Sequence, residues 1–258
     1  MRNPYGLKRK GVDLSQGPPK RKRDVVQILA VIETPLVPTE NAPSSSGWHS
    51  NVLYLRYQSL WDGPVALVAY SFGGLVLKSL VVEARKHVHQ RPRNGFDDEV
   101  HKCCKTFLNN VKGVIFYGVP HAGGTQYLSN YFTWQHQQIN TLSKYATQSG
   151  FLKNLESFNP QMEHLSMDFK NAVHEDLNIY AFGEGLPFDK KWGILVPYTS
   201  AIQLSNNNHY KIEDANHLTI CKPPNKDHPS YSLLLKCLKI CMEVKTSNLS
   251  LLTSYMFM

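Results

Sequence analysis

Residues 65–77 read VALVAYSFGGLVL and place a single hydroxyl group, that of Ser71, between two apolar runs. The run before Ser71 is short and includes β-branched residues, which is typical of a buried strand. The run after it continues to Ala84 and is long enough for a helix. A strand that passes into a helix through one residue holds that residue in a strained conformation, with its side chain pointing out over the sheet edge. The stretch therefore predicts a nucleophile elbow with Ser71 at its tip.

The residues around Ser71 fit the elbow pattern G-x-S-x-G with one departure. The positions two before and two after the serine must be small, because the strand and helix backbones nearly touch there. Gly73 meets this requirement, whereas Ala69 replaces the first glycine and weakens the match. The amide of Phe72 would supply one oxyanion donor at the start of the helix. The plainer interpretation is a serine that merely caps a helix after a strand.

The charge of the chain is concentrated at its N-terminal end. The formal net charge is +8, but seven of the 28 basic residues lie in two clusters, at 8–10 and 20–23. The other 21 basic residues nearly balance the 20 acidic residues. We expect residues 1–23 to form a basic disordered tail. A basic tail on a nearly neutral body argues against a nucleic-acid-binding domain, so no nucleic acid is expected as a partner. The segment Lys8–Arg23 fits a two-part nuclear import signal that would bind an import receptor, or it is a solvated tail.

Other classes of protein are disfavoured by composition. No apolar run approaches the ~18 residues of a membrane span, and the first 25 residues lack the apolar core of a secretory signal, so secretion is not expected. The five cysteines form no CxxC pair, which favours free thiols in a reducing compartment over a disulfide or metal site. We predict neither a metal nor a cofactor.

Strand patterns alternate with helix patterns, which predicts an α/β fold with a mostly parallel sheet flanked by helices. We assign residues 24–245 to this domain and 246–258 to a second tail. In such sheets, sites form at the carboxyl ends of the strands. The predicted strands cover 25–32, 52–57, 64–69, 114–118, 177–182 and 194–196. The predicted helices cover 74–89, 98–109, a segment that begins at Asn159 and Pro160, and 231–244.

Two histidine segments follow the elbow. Residues 113–124 predict a strand that ends in a Pro-His-x-Gly loop, and we expect His121 to order that loop or face a substrate rather than serve as a base. Residues 214–219 place His217 in a loop ahead of the final helix. The chain order serine, acid, histidine is that of the α/β-hydrolases, which predicts Ser71 as nucleophile and His217 as general base.

Taken together, these segments resemble the serine active site-containing protein family, lipase-like α/β-hydrolases related to GPI inositol-deacylases. The resemblance covers roughly residues 50–243 and is carried by four segments, 69–76, 116–121, 196–201 and 216–223. It implies the α/β-hydrolase fold and a serine esterase or acyl transferase that acts on a lipid or another ester. It also implies an association with a membrane surface, in the mitochondrion or the endoplasmic reticulum, whereas the basic tail alone suggests the nucleus.

The acid of the predicted triad is assigned through the resemblance. Relatives have a Phe-x-Glu-x-x-Pro segment, matched here by residues 182–187, which points to Glu184. Asp189 is the alternative acid, and Asp214 is third because it lies so near His217 in sequence. A buried carboxylate that accepts a proton from the histidine Nδ1 fixes the tautomer and stabilises the imidazolium.

Part of the family pattern is missing. Relatives have an early strand that ends in a His-Gly loop with the second oxyanion amide, but no His-Gly occurs before Ser71. Residues 60–65, between the strand at 52–59 and the elbow strand, are too few for the crossover helix that parallel strands need. The predicted fold is therefore incomplete on its N-terminal side. Since the loss of one oxyanion donor costs about 10²–10³ in rate, the alternative function is a catalytically impaired binding or scaffold protein.

Apolar side chains in the region 126–170 suit an acyl chain as well as ordinary core packing. They are Tyr127, Tyr131, Phe132, Trp134, Phe151 and Leu152.

Overall fold

The structure, a computed structural model, describes residues 27–31, 63–90, 92, 95–128, 130–131 and 160–242. Several predictions from the sequence lie outside these residues. They are the two tails, the strand at 52–57, the segment after Val31, and the apolar residues Phe132, Trp134, Phe151 and Leu152.

Five parallel strands form one sheet, in the order in which they follow along the chain. Each strand pairs in parallel with the next, so all the carboxyl ends lie at one edge. This confirms the predicted α/β class with a parallel sheet. The strands are β1 Gln27–Val31, β2 Val65–Tyr70, β3 Val111–Tyr117, β4 Asn178–Glu184 and β5 His209–Ile212.

Helices cover both faces of this sheet. They are α1 Gly73–His89, α2 Gly95–Asn110, α3 Pro160–Ala172, α4 Tyr198–Ala201 and α5 Pro229–Met242. On one face, apolar side chains of α1, α2 and α3 form a core with Leu67 and Phe116. On the other face, α5 packs on Val68 and Ile115. All six residues of β2 are buried, which explains why this strand reads as a continuous apolar run. Within the described residues, no helix is both long and apolar enough to cross a lipid bilayer.

A third apolar cluster lies beyond the sheet, next to the residues that follow β2 and β4. Its buried members are Phe72, Leu128, Tyr131, Met162, Leu195, Val196 and Ala201. The side chains of Phe188 and Trp192 are partly buried against it. This cluster covers the carboxyl edge, where we expect the site.

The strand predicted at residues 194–196 is wrong. The amide of Val196 donates to the Glu184 carboxylate, and the carbonyl of Leu195 accepts from the amide of Thr125, so this backbone binds a side chain and a loop instead of a strand. The fifth strand is β5, which the pattern missed. Only Ile212 of its four residues is fully buried, so this edge strand carries little apolar signal.

We predict that Gly74→Ala destabilises the protein although alanine favours helix. A Cβ at position 74 would lie 2.4 Å from both methyl carbons of Val119, so α1 or the loop after β3 would have to move. Overpacking of this kind costs about 1–3 kcal/mol, which exceeds the roughly 0.5–1 kcal/mol that alanine gains over glycine in a helix. Urea unfolding measures the difference.

The matched control is Gly95→Ala, where a new Cβ would meet no atom within 4 Å. This variant is expected to be neutral or slightly stabilised. Equal stability of the two variants would contradict the close approach of α1 to the loop that contains Val119.

Candidate active site

Ser71 occupies the single residue between β2 and α1. Its φ angle is 50°, in the left-handed region that side chains other than glycine rarely adopt. Its amide donates to the carbonyl of Tyr117 at 2.9 Å, and its own carbonyl accepts from the amide of Gly74 at 3.1 Å. The N-cap of α1 is Phe72, without a side-chain cap hydrogen bond. The geometry is therefore that of the predicted elbow, and the simple capping interpretation of Ser71 is wrong.

The hydroxyl of Ser71 lies beside the ring of His217. Ser71 Oγ and His217 Nε2 are 2.9 Å apart, and both residues are 0% exposed. Burial lowers the pKa of His217 to about 3, so the ring is neutral and Nε2 can accept the hydroxyl proton. The hydroxyl of Tyr70 donates to the backbone carbonyl of His217 at 2.8 Å and so holds the histidine in place.

Glu184, the last residue of β4, faces the other ring nitrogen. Its Oε2 lies 3.7 Å from His217 Nδ1, and neither atom makes a hydrogen bond to the described part of the chain. Burial raises the pKa of Glu184 to about 7, although the amides of Val196, Leu195 and His217 favour its charged form. In unliganded sites such a contact is often long and tightens when a substrate binds. Ser71, His217 and Glu184 therefore lie in a row, with a hydrogen bond between the first two and a separation of 3.7 Å between the last two.

The two other carboxylates considered from the sequence have different partners. Asp189 Oδ1 accepts from the amides of Lys191 and Trp192, at 2.8 and 2.6 Å, and so closes its own turn. Asp214 Oδ2 lies 3.3 Å from His228 Nε2. Of the three candidates, the structure brings only Glu184 to His217.

The loop that carries His217 is ordered by its own sequence. Asn216 Oδ1 accepts from the amides of Leu218 and Thr219, each at 3.1 Å, which forms a tight side-chain turn around the histidine. The carbonyl of Ala215 accepts from the amide of Gly185 at 3.0 Å. This bond ties the histidine loop to the residue that follows Glu184.

Gly118, directly after β3, permits the close approach of backbone to His217. Its φ angle is +53°, and a Cβ at this position would lie 3.2 Å from His217 Nδ1. Its amide donates to the carbonyl of Phe182 at 2.8 Å. The glycine is thus required both by its conformation and by the space next to Nδ1.

His121 lies on the same loop but is buried against α1. Its Nδ1 is 3.2 Å from Lys78 Nζ, and its ring meets that of Phe116 edge to face. Burial, followed by the positive charges of Lys78 and Lys170, holds the pKa of His121 well below its ordinary value. This placement fits a loop-ordering histidine, and a role for His121 toward a substrate stays a prediction.

Aromatic side chains cover the row on its apolar side. The ring of Tyr131 lies 6.2 Å from that of His217, edge to face. Phe188 and Trp192 stack on each other and both contact Tyr131. These three rings belong to the third apolar cluster, and Tyr131 places that cluster next to His217.

The oxyanion donors stay predictions. Phe72, the predicted first donor, has helical backbone angles at the N-cap of α1. The register places Val31 beside Ala69, so the end of β1 lies next to the elbow strand. The residues that follow Val31, where relatives have the His-Gly loop, lie outside the described residues.

Sequence reasoning missed two groups of the site. Tyr70 occupies a variable position of the elbow pattern, so the pattern gives no signal for its hydroxyl. The amide of Val196 was missed because residues 194–196 read as a strand. The Val-Pro pair at 196–197 was the available signal against a strand, because proline is rare within a sheet.

The fold and the site together define the general class of this protein. It is a parallel α/β protein in which a serine, a histidine and a glutamate lie together at the carboxyl edge of the sheet. Comparison with known proteins then gives its relatives. In Protein SERAC1 of Bos taurus, 32% of 212 aligned residues are identical, over 78% of this chain and 28% of that protein. Identity is 27% over 204 residues for Protein SERAC1 of Danio rerio, covering 77% of this chain and 27% of that protein. It is 29% over 205 residues for Protein SERAC1 of Homo sapiens, covering 76% and 27%.

The chain spans about a quarter of the length of the curated relatives it matches. No model of a protein family matches it. The similarity supports the family name suggested by the motifs, since SERAC1 stands for serine active site-containing protein 1.

We predict that Gly118→Ala destabilises the protein more than Gly193→Ala. Both glycines have positive φ, so each substitution introduces backbone strain of roughly 1–2 kcal/mol. Only at Gly118 does the new Cβ also press on His217, because position 193 is open within 4 Å. Urea unfolding of the two variants isolates the contact. Equal losses of stability would show that the space beside His217 Nδ1 is not tightly packed.

Proposed function

We propose that this chain is a serine ester hydrolase with the α/β-hydrolase fold. The observation that carries the proposal is the row of Ser71, His217 and Glu184, with the serine at positive φ between a strand and a helix. A serine that only packs or caps needs neither the strained backbone nor a histidine nitrogen at 2.9 Å. The similarity to serine active site-containing proteins supports the same assignment.

In the proposed first step, Ser71 Oγ attacks the carbonyl carbon of an ester. His217 Nε2 takes the hydroxyl proton, and Glu184 stabilises the imidazolium through Nδ1–H. The tetrahedral intermediate then collapses: the bond from carbon to the leaving oxygen breaks, and His217 returns the proton to the departing alcohol. The product is an ester of Ser71 with the acyl group.

In the second step, water attacks this acyl-enzyme. His217 removes a proton from the water and delivers it to Ser71 Oγ as the carboxylic acid leaves. An alcohol in place of water would transfer the acyl group instead. The amide of Phe72, at the start of α1, is the proposed donor to the oxyanion in both steps.

The surroundings of Ser71 favour an ester with an apolar acyl group. The third apolar cluster adjoins the elbow through Phe72 and contains Leu128 and Met162 next to the aromatic cover. These side chains are buried in the unliganded protein, and a hydrocarbon chain that took the place of the aromatic cover and packed on them would be stabilised by roughly 0.8 kcal/mol for each buried methylene group. We therefore propose a lipid, or another ester with an apolar acyl group, as the substrate class.

A binding or scaffold function is the second candidate, and one observation favours it. Ser71 and His217 are both 0% exposed, so a substrate reaches them only if the side chains that cover them move. A protein that keeps the fold without turnover would have no need of such movement. Covalent labelling of Ser71 distinguishes the two functions.

We predict that a fluorophosphonate probe labels the folded protein at Ser71. His217 takes the hydroxyl proton, Ser71 Oγ bonds to the phosphorus of the probe and the P–F bond breaks, so fluoride leaves and a stable phosphonate ester remains. Mass spectrometry of the digested protein locates the label. Ser71→Ala is expected to abolish it, and His217→Gln is expected to slow it by several orders of magnitude.

The matched control for this experiment is Ser205→Ala, which removes a serine hydroxyl that is also buried but donates to the carbonyl of Ile202. Its label should remain on Ser71. A correctly folded wild-type protein without label at Ser71 would overturn the hydrolase proposal in favour of the scaffold.

We predict that the labelling rate rises with pH through about 7 and then levels off. Burial raises the pKa of Glu184 to about 7, so its carboxylate is protonated below that pH and cannot stabilise the imidazolium. Burial lowers the pKa of His217 to about 3, so this ring is already neutral and does not cause the rising limb of the pH profile. Labelling rates at constant ionic strength from pH 5 to pH 9 measure the profile.

Glu184→Gln should remove this limb and lower the plateau by roughly two to four orders of magnitude. Asp214→Asn, a change of the same kind at the carboxylate beside His228, should keep the limb. A limb that persists in Glu184→Gln would exclude Glu184 as the group that titrates.

A further inference from the structure

A buried lysine lies beside the site and has no part in the reaction proposed above. Lys78 belongs to α1, the helix that begins next to Ser71, and it is 0% exposed. Burial of an amine is unfavourable unless hydrogen bonds replace its water. A methionine of similar length would fill the same space without a polar group, so the contacts of the amine indicate what it does.

Lys78 closes a ring of hydrogen bonds between three segments. Its Nζ donates to Ser166 Oγ on α3 at 2.9 Å and lies 3.2 Å from His121 Nδ1. The hydroxyl of Ser166 in turn donates to the carbonyl of His121 at 3.1 Å. The ring therefore joins α1, α3 and the loop after β3, and it holds that loop by both the side chain and the backbone of His121.

The electrostatics of this ring favour neutral groups. Burial lowers the pKa of Lys78 to about 7, and the two partners of its amine are a ring nitrogen and a hydroxyl, neither of which is negative. The pKa of His121 is also held low, by burial and by Lys78. A neutral ring that accepts at Nδ1 matches a lysine that donates, so the pair is bound by a hydrogen bond and not by opposite charges.

The loop held by Lys78 contacts His217 directly and is linked to Glu184 through Ser200. At one end, Gly118 lies against His217 Nδ1. At the other end, Ser200 Oγ accepts from the amide of Ala122 at 3.0 Å and donates to the carbonyl of Gly123 at 2.6 Å. Ser200 lies on α4, directly after the segment whose Val196 amide binds the Glu184 carboxylate.

We propose that Lys78 is a positioning residue: by binding His121 and Ser166 it fixes the loop of residues 118–123, and thereby the separation of His217 Nδ1 and Glu184 Oε2. The inference rests on the proposed function, because that separation matters only if Glu184 accepts Nδ1–H while Ser71 reacts. Lys78 would act through the loop and would not touch the substrate. Its removal should therefore slow the chemical step without weakening the first binding of the probe.

The test uses Lys78→Met, which keeps the length of the side chain and removes its donor. With the fluorophosphonate probe, the maximal labelling rate should fall roughly ten- to a hundredfold, the size of effect that a misplaced catalytic group produces. The probe concentration that gives half the maximal rate should stay within about twofold, since the binding surface is unchanged. In ¹⁵N-histidine NMR spectra of the folded protein, the ring signals of His121 and His217 should both shift.

The matched control is Lys86→Met, the same substitution on α1 at a solvent-exposed lysine that pairs with Glu83. It should change neither the labelling rate nor the ring signals. Ser166→Ala removes a second member of the ring with little change in volume, and it should lower the maximal rate in the same direction. The double variant Lys78→Met/Ser166→Ala should lose no more than Lys78→Met alone, because both act through one loop.

A folded Lys78→Met protein with the maximal labelling rate of the wild type would overturn the proposal. A loss of maximal labelling rate in Lys86→Met equal to that in Lys78→Met would also overturn it. Should Lys78→Met fail to fold, Ser166→Ala decides by the same two readouts. Should the wild-type protein take no label, the hydrolase proposal fails and the NMR spectra decide alone. Shifted His217 signals in Lys78→Met, but not in Lys86→Met, would then still support positioning, and unshifted signals would refute it.

Discussion

The passage of β2 into α1 through one residue is the constraint on which the site depends. Ser71 can hold a φ of 50° because both its peptide groups are bound, the amide to Tyr117 and the carbonyl to Gly74. Such strain costs roughly 1–3 kcal/mol and persists only where the surrounding structure over-determines the residue. A residue in an ordinary extended or helical conformation would direct its side chain into one of the two packed faces. The strained turn instead directs Oγ toward His217.

Burial decides the protonation states around this hydroxyl. It lowers the pKa of His217 and raises the pKa of Glu184, so both side chains favour their neutral forms in the unliganded protein. In the proposed reaction Glu184 is already ionised, and the positive charge on His217 appears only when the proton of Ser71 moves to it. Removal of water strengthens the attraction of an imidazolium for a carboxylate at that moment. Burial therefore disfavours each isolated charge in the resting protein but strengthens the pairing of the imidazolium with the carboxylate during the reaction.

The sequence predicted those parts of the molecule that rest on local patterns. A buried strand, a small-residue turn and a helix around Ser71 follow from adjacent residues, and so does the loop position of His217. The approach of Glu184 was predicted from a family motif and not from physics, and the sequence also left Asp189 as the alternative acid and Asp214 as the third. The contacts that separate these carboxylates are partly local and partly tertiary. Asp189 closes its own turn, which is a local contact, whereas the pairing of Asp214 with His228 and the approach of Glu184 to His217 are tertiary. The strand β5 was missed because an edge strand needs few apolar residues, and residues 194–196 were misassigned because their backbone serves Glu184 and Thr125.

The loop of residues 118–123 links the two unusual features of the molecule, the strained serine and the buried lysine. Gly118 leaves room for His217 because it lacks a side chain, and His121 anchors the same loop because Lys78 is within 3.2 Å of its ring. A loop fixed only by apolar packing could slide by a fraction of an ångström at little cost, since dispersion contacts are weak and non-directional. Hydrogen bonds restrict both distance and angle, so they define a position more narrowly than packing does. A buried ring of hydrogen bonds stabilises the protein less than apolar packing would, but it is better suited to hold Gly118 in one position. In that position, the separation of 3.7 Å between His217 Nδ1 and Glu184 Oε2 can shorten to a hydrogen bond.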